Sequence, residues 1–194
     1  MFPFLAIFII FCIILTYYIK KGDSSQKEVM ETFFEKERLS NGVRKKDISQ
    51  LNYITIPLEK IPQKLESLTE KEFFSFSEKT MLNLSGISNT ELKLQYGTAN
   101  LDILSEYDSN YTDMIALLPK YIEELLDAGM VDTAQMLLEF AIETKADSRI
   151  LYKQLLSIYQ ETKQLDKIDH LILISNELPE ITRNLIQKDL SSIN

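Results

Sequence analysis

Histidine and cysteine are almost missing from this chain. Its 194 residues hold one of each, His170 and Cys12, with only five glycines and five prolines. A single histidine with no cysteine outside the first twenty residues leaves no pair of side chains to share a metal. With one cysteine, no disulfide framework is possible, so an oxidising compartment gains no support. Ser/His/Asp chemistry would have to use His170, which stands in an apolar run beside Leu171, Ile172 and Ile174, with no nucleophile elbow in view. Five scattered glycines form no phosphate-cradling loop. Glu123, Glu124 and Asp127 make a carboxylate cluster whose spacing reads as a solvated helix face. The expectation is therefore no catalytic residue, no cofactor and no metal site, so not an enzyme.

Charge is missing from a different place. Phe2 to Ile19 carries none, and its polar side chains Thr16, Tyr17 and Tyr18 gather at one end. Eighteen residues at a helical rise of 1.5 Å cover roughly 27 Å, close to a hydrocarbon core of about 30 Å. Tyr17 and Tyr18, followed by Lys20 and Lys21, suit the membrane interface. A cleaved signal peptide would show a basic leader and small residues at the cut, and the run has neither. Cys12 follows bulky residues rather than a lipobox and reads as a small apolar filler. Residues 1–19 are thus expected to be a single-pass transmembrane anchor. Lysines follow the run and none precedes it, so the positive-inside rule puts the N-terminus outside and the C-terminal domain in the cytoplasm. The sequons at Asn83 and Asn110 read as chance matches there.

The remaining charge is unevenly spread. Residues 20–64 have a net charge of +3 and residues 65–194 one of −11, together the chain's −8. The acidic body opposes phosphate-backbone binding, so nucleic acid is not an expected partner, and no small-molecule substrate is indicated. The division expected is an anchor at 1–19, a juxtamembrane helix with an extended strap at 20–64, and a helical domain at 65–194.

Within that frame, Gly22 to Ser25 reads as a flexible break. Lys27 to Leu39 reads as a helix whose Val29, Met30, Phe33 and Phe34 stripe makes core contact. Arg44-Lys45-Lys46 is too short for a nucleic-acid signal, and a lipid headgroup is an alternative contact. Leu51 to Pro62 has two prolines and many β-branched residues. It reads as an extended strap burying Tyr53, Ile54, Ile56, Leu58 and Ile61. A helix is expected over 69–84, capped by Thr69 with Glu72 and stopped by Gly86, with Phe73, Phe76, Thr80, Met81 and Leu84 as its inner stripe. A short helix opens at Ser88 and ends at Gly97, and another begins near Thr98. Pro119 either kinks a helix or marks a first turn.

From Ile115 the chain becomes self-similar. Windows 115–148 and 149–182 overlay with Leu118, Tyr121, Ile122 and Leu125 opposite Tyr152, Leu155, Leu156 and Tyr159. Val131, Ala134, Leu138 and Ala141 fall opposite Leu165, Ile168, Ile172 and Ser175. Asp132 with Gln135 offers a capping box for the second helix of the first window. This pattern resembles degenerate tetratricopeptide repeats, with Gly129 at the interhelix glycine, Ala134 and Ala141 at small positions and Pro179 near the repeat end. Lys163 and Ile168 depart from it. The resemblance covers about 68 residues, and Ile181 to Leu190 would be a closing, solvating helix. It implies a mainly α fold, an α-solenoid-like array of helical hairpins with about 6–8 helices, and an inward groove formed by Glu123, Leu126, Lys153, Ser157 and Gln160. The function it implies is a membrane-tethered scaffold that binds a protein or peptide partner. The alternative is a structural accessory subunit of an integral membrane complex.

Overall fold

A computed structural model describes residues 2–191, so Met1 of the expected anchor lies outside the described residues. The described chain is mainly helical, with eight α-helices and no β-strand. It divides into two compact units. One ends at Asp47 and takes in Ser88–Leu101, and the other holds Ile48–Ile87 and continues from Asp102.

The first unit is built on α1, Phe2–Asn41, a single helix of 40 residues. The break expected at Gly22 to Ser25 is absent from the backbone, which stays helical. Glycine, serine and aspartate in a helix cost about 0.5–1 kcal/mol each, but nucleating a second helix costs more than propagating the first across them. Over its apolar span α1 has a mean hydropathy of 2.1 and is not buried by the rest of the chain, which makes it long and apolar enough to cross a membrane. The stripe at Val29, Met30, Phe33 and Phe34 is not core either. All four side chains are more than half exposed, and the Phe33 and Phe34 rings meet only edge-on. Their helical spacing is real, but no apolar face among the described residues covers it.

The far end of α1 is held by α3, Asn89–Tyr96, which opens on a capping box of Ser88 with Glu91. Glu37 accepts from the Thr90 hydroxyl and the Lys93 ammonium, and Lys93 also reaches Asn41 at 3.0 Å. These two donors draw the Glu37 carboxyl below its ordinary range, Lys93 contributing most. Gly97 turns the chain at φ 87°. A Cβ there would stand 2.2 Å from the Arg44 carbonyl oxygen, so only glycine lets the two backbones approach. Asn100 closes the turn by donating to the carbonyls of Lys46 and Tyr96 at 2.8 and 2.7 Å.

In the second unit the strap is extended as expected. It makes one antiparallel bridge, Ile54 to Met81, and buries Ile56 and Ile61, while Ile54 and Leu58 are half-buried. Tyr53 is the exception and stays at the surface, its ring edge-on to Tyr107. The next helix, α2, spans only Leu68–Ser75, with a 3-10 turn to Glu78, and not 69–84. Its cap is Ser67, whose Oγ accepts from the Glu70 amide at 3.0 Å. Thr69 instead donates to Glu124 at 2.6 Å, alongside Ser67 Oγ at 2.6 Å. The Glu70 carboxylate is buried and gathers the amides of Lys64, Leu65 and Glu66. That tight wrap holds Glu66 at φ 53°.

Tertiary hydrogen bonds end α2 early. The Leu82 amide donates to the Tyr107 carbonyl at 3.2 Å and the Leu84 amide to Asp108 Oδ1 at 2.8 Å. Met81, Leu82 and Leu84 are buried from an extended chain, whereas Thr80 is exposed and Gly86 turns a loop. Both sequon asparagines serve this arrangement. Asn83 donates to the carbonyls of Thr144 and Lys145, and Asn110 to that of Thr80.

Five helices complete the unit: α4 Leu101–Asp127, α5 Val131–Glu143, α6 Arg149–Glu161, α7 Ile168–Ser175 and α8 Glu180–Ser191. Pro119 lies inside α4 and is not a first turn, and its carbonyl accepts from Gln154 at 3.1 Å. Leu118, Tyr121, Ile122 and Leu125 are fully buried, with Tyr121 stacked on Phe73 at 4.9 Å. α6 packs against α5, α7 and α8. The same turn follows α4, α5 and α6: Lys145 takes φ 61° and the Ala146 amide reaches the Ala141 carbonyl at 3.0 Å. Gly129 and Lys163 both take positive φ, 74° and 58°, and the following amides reach back to the carbonyls of Leu125 and Tyr159, both at 2.8 Å. Lys163 therefore keeps the glycine's backbone without being glycine. Asp132 is not a cap: α5 begins at Val131 after Met130, with no side-chain cap. Nor is α8 a purely solvating lid, since Ile181 and Leu185 remain exposed on it while Ile186 and Leu190 pack inward.

Candidate functional site

The five residues expected to line a groove fall on two helices. Glu123 is exposed and Leu126 half-buried on α4. Lys153, Ser157 and Gln160 are exposed along one face of α6. Among the described residues no hydrogen bond or ion pair joins the α4 pair to the α6 trio; Ser157 Oγ donates to Glu161 one turn further along α6. Lys153 feels the Asp189 carboxylate of α8, which Arg149 holds in a two-point ion pair at 2.6 Å. That face of α6 is thus an open strip beside α8. Glu124, from the carboxylate cluster, is not merely solvated. Its bonds from Ser67 and Thr69 anchor the start of α2 and hold its carboxyl low. On α1, the expected interface residues Tyr17, Tyr18, Lys20 and Lys21 are all exposed.

A concave feature lies on the other side of α6. At about 100° per residue, Leu155 and Tyr159 stand roughly 150° round the helix from the Lys153, Ser157 and Gln160 face. They floor a cleft of about 310 Å³, walled by Glu139, Ile142 and Glu143 from α5 and by Asp166, Lys167, His170, Leu171 and Ile174 from the segment leading into α7 and from α7 itself. Each wall is a single helical stripe: 139, 142 and 143 on one side, and 167, 170, 171 and 174 on the other. Leu155 and Leu171 are buried and supply an apolar base, while His170, Glu143 and Asp166 are exposed at the rim.

One ion pair sets the electrostatics. Glu139 Oε1 accepts from Lys167 Nζ at 2.8 Å, from the Tyr159 hydroxyl at 2.9 Å and from Gln135 Nε2 at 2.9 Å. Burial pushes the Glu139 carboxyl up, but these three donors outweigh it and the net direction is down, so the group stays ionised. Lys167 also lies 5.3 Å from the Tyr159 ring centroid. Burial and the neighbouring carboxylate push the Tyr159 hydroxyl well above its ordinary value, so it remains a donor. With Lys167 spent on Glu139, the Glu143 and Asp166 carboxylates stand at the mouth of the cleft. Two further hollows flank the strap at Tyr53–Ile56, one against Lys79–Met81 and one against Thr144 and Lys145.

The cleft escaped the sequence reading because its apolar members are the ones assigned to the core: Leu155 and Tyr159 sit in the repeat overlay as inner positions. A usable signal was present in the four-residue step from Gln135 to Glu139 and the acidic pair Glu139 and Glu143 on the edge of an apolar stripe. No cluster of three or more metal-ligating side chains occurs among the described residues. Compared with protein families, curated proteins and solved structures, the chain matches none.

Proposed function

We propose that the protein is a single-pass, membrane-tethered interaction module whose helical-repeat unit captures a protein or peptide partner at the cytoplasmic face. The observation that carries this reading is the pairing of opposites in one chain. A helix whose apolar span is left unburied by the rest of the described chain supports insertion in lipid, and the helical unit that follows keeps its own core covered. The apolar positions that recur between windows 115–148 and 149–182 support a degenerate solenoid-like repeat, and such stacks present elongated binding faces. Lys20, Lys21 and Lys27 support the N-out orientation.

Photocrosslinking in cells from α5, α6 and α7, with mass spectrometry of the adducts, tests partner capture. Reproducible adducts to one protein are expected, and adducts only to abundant bystanders would end the proposal. Orientation is read by a cysteine introduced as Ser157→Cys: a membrane-impermeant maleimide should label it only after lysis.

The exposed Val29, Met30, Phe33 and Phe34 stripe favours a second reading, an accessory subunit held laterally by an integral membrane partner. Exchanging Phe2–Ile19 for an unrelated apolar helix separates the two. Function retained supports the tethered module, and function lost supports the subunit.

A further inference from the structure

We infer that the cleft between α5, α6 and α7 receives a partner segment in which an apolar side chain is flanked by lysine or arginine. This inference rests on the interaction-module reading and specifies its site. Size is the first argument. About 310 Å³ stands at the bottom of the range for small-molecule pockets, so the space suits one or two side chains of a peptide better than a cofactor. Its base is aliphatic at Ile142, Leu155, Leu171 and Ile174, which rewards burial of a leucine-like anchor.

Charge is the second argument. Three carboxylates, Glu139, Glu143 and Asp166, ring that base against one lysine. Lys167 lies across Tyr159 and neutralises Glu139, so it occupies the place an incoming cation would take. A guanidinium from the partner can meet Glu143 and Asp166 directly, and can compete with Lys167 for Glu139 and for the Tyr159 ring face. Lys167 therefore acts as a resident competitor, and removing its charge should strengthen binding. A merely structural ion pair would give no such inversion of sign.

The test uses the full chain in neutral phosphatidylcholine nanodiscs, with empty discs subtracted. The chain contains no tryptophan, so a peptide carrying one reports its own environment by fluorescence. The probes are two capped peptides alternating leucine with arginine or with glutamate, each with one tryptophan. The arginine peptide is expected to bind saturably and the glutamate peptide not. Glu143→Gln with Asp166→Asn, both at exposed positions, should weaken binding roughly three- to ten-fold. Lys167→Met keeps the packing stem and should tighten it. Equal binding of the two peptides, indifference to the acidic pair, or weakening by Lys167→Met would each overturn the assignment. Loss of the cleft interaction with the cellular crosslinks intact defeats this inference alone, whereas loss of the crosslinks defeats the module.

Discussion

Leucine, isoleucine and tyrosine do opposite things in the apolar run of α1 and along the inner stripe of α4. From Phe4 to Ile19 every one of them is exposed, as is Phe4 itself at 82%, while in the second unit Leu118, Tyr121, Ile122 and Leu125 are at 0%. Residue type is shared, so pattern makes the difference. A helix apolar all round can find no single partner face, whereas a stripe every third or fourth residue can be closed by neighbouring helices. The lesson extends to Val29–Phe34, where a stripe exists and no neighbour covers it.

The largest effect should come from charging the outward face. Ile10→Lys places an ammonium near the middle of the apolar run, at a cost of about 2.5–3.5 kcal/mol for insertion. On the anchored reading, the protein should move from the carbonate-resistant membrane fraction into the soluble or aggregated one. The same size of penalty applies to the second unit by the opposite route. Leu118→Ala empties a fully buried site and should cost about 2–5 kcal/mol. Denaturant unfolding should show this while fractionation between membrane and soluble pools is unchanged.

Gly97→Ala is a smaller disturbance confined to the first unit. A methyl group cannot share space with the Arg44 carbonyl and the backbone is already at positive φ, so a loss of about 1–3 kcal/mol is expected. Hydrogen exchange should quicken in the Asn89–Tyr96 amides and leave those of α6 unchanged. Smaller still is an acid effect at Glu124. Its folded pKa lies below the ordinary 4.5, so its contribution is present above that value and disappears as pH falls through the lower, folded one. Glu124→Gln should flatten this part of the acid-unfolding curve. Smallest of all, Phe33→Ser with Phe34→Ser should change stability by no more than about 0.5 kcal/mol, since both rings are exposed. A large loss would show that the stripe has a cover.

The helices were legible wherever a stripe and a terminator coincided. Ser88 and Gly97 framed α3 as read, and α8 begins directly after Pro179. Misreadings cluster where distant groups compete for the backbone. Ser67 and Thr69 each precede a glutamate by three residues; the distant Glu124 decided between them by accepting from both hydroxyls, with Ser67 left as the cap. Residues 79–84 carry a helical stripe, but Tyr107 and Asp108 take the amides of Leu82 and Leu84. The cleft was hidden for a related reason: a side chain that floors a hollow and one that fills a core look alike in one dimension.

The unbroken backbone of α1 also sets a height. On the anchored reading, the 22 residues from Ile19 to Asn41 add roughly 33 Å of helix beyond the apolar run. That is about four Debye lengths at physiological salt, so Arg44, Lys45 and Lys46, just past its end, would stand outside the reach of anionic headgroups if α1 runs along the bilayer normal. The helix would then work as a stilt as well as an anchor. The clamp at Glu37 and Lys93 would sit at that elevation, and a shortened α1 would bring it down towards the headgroups.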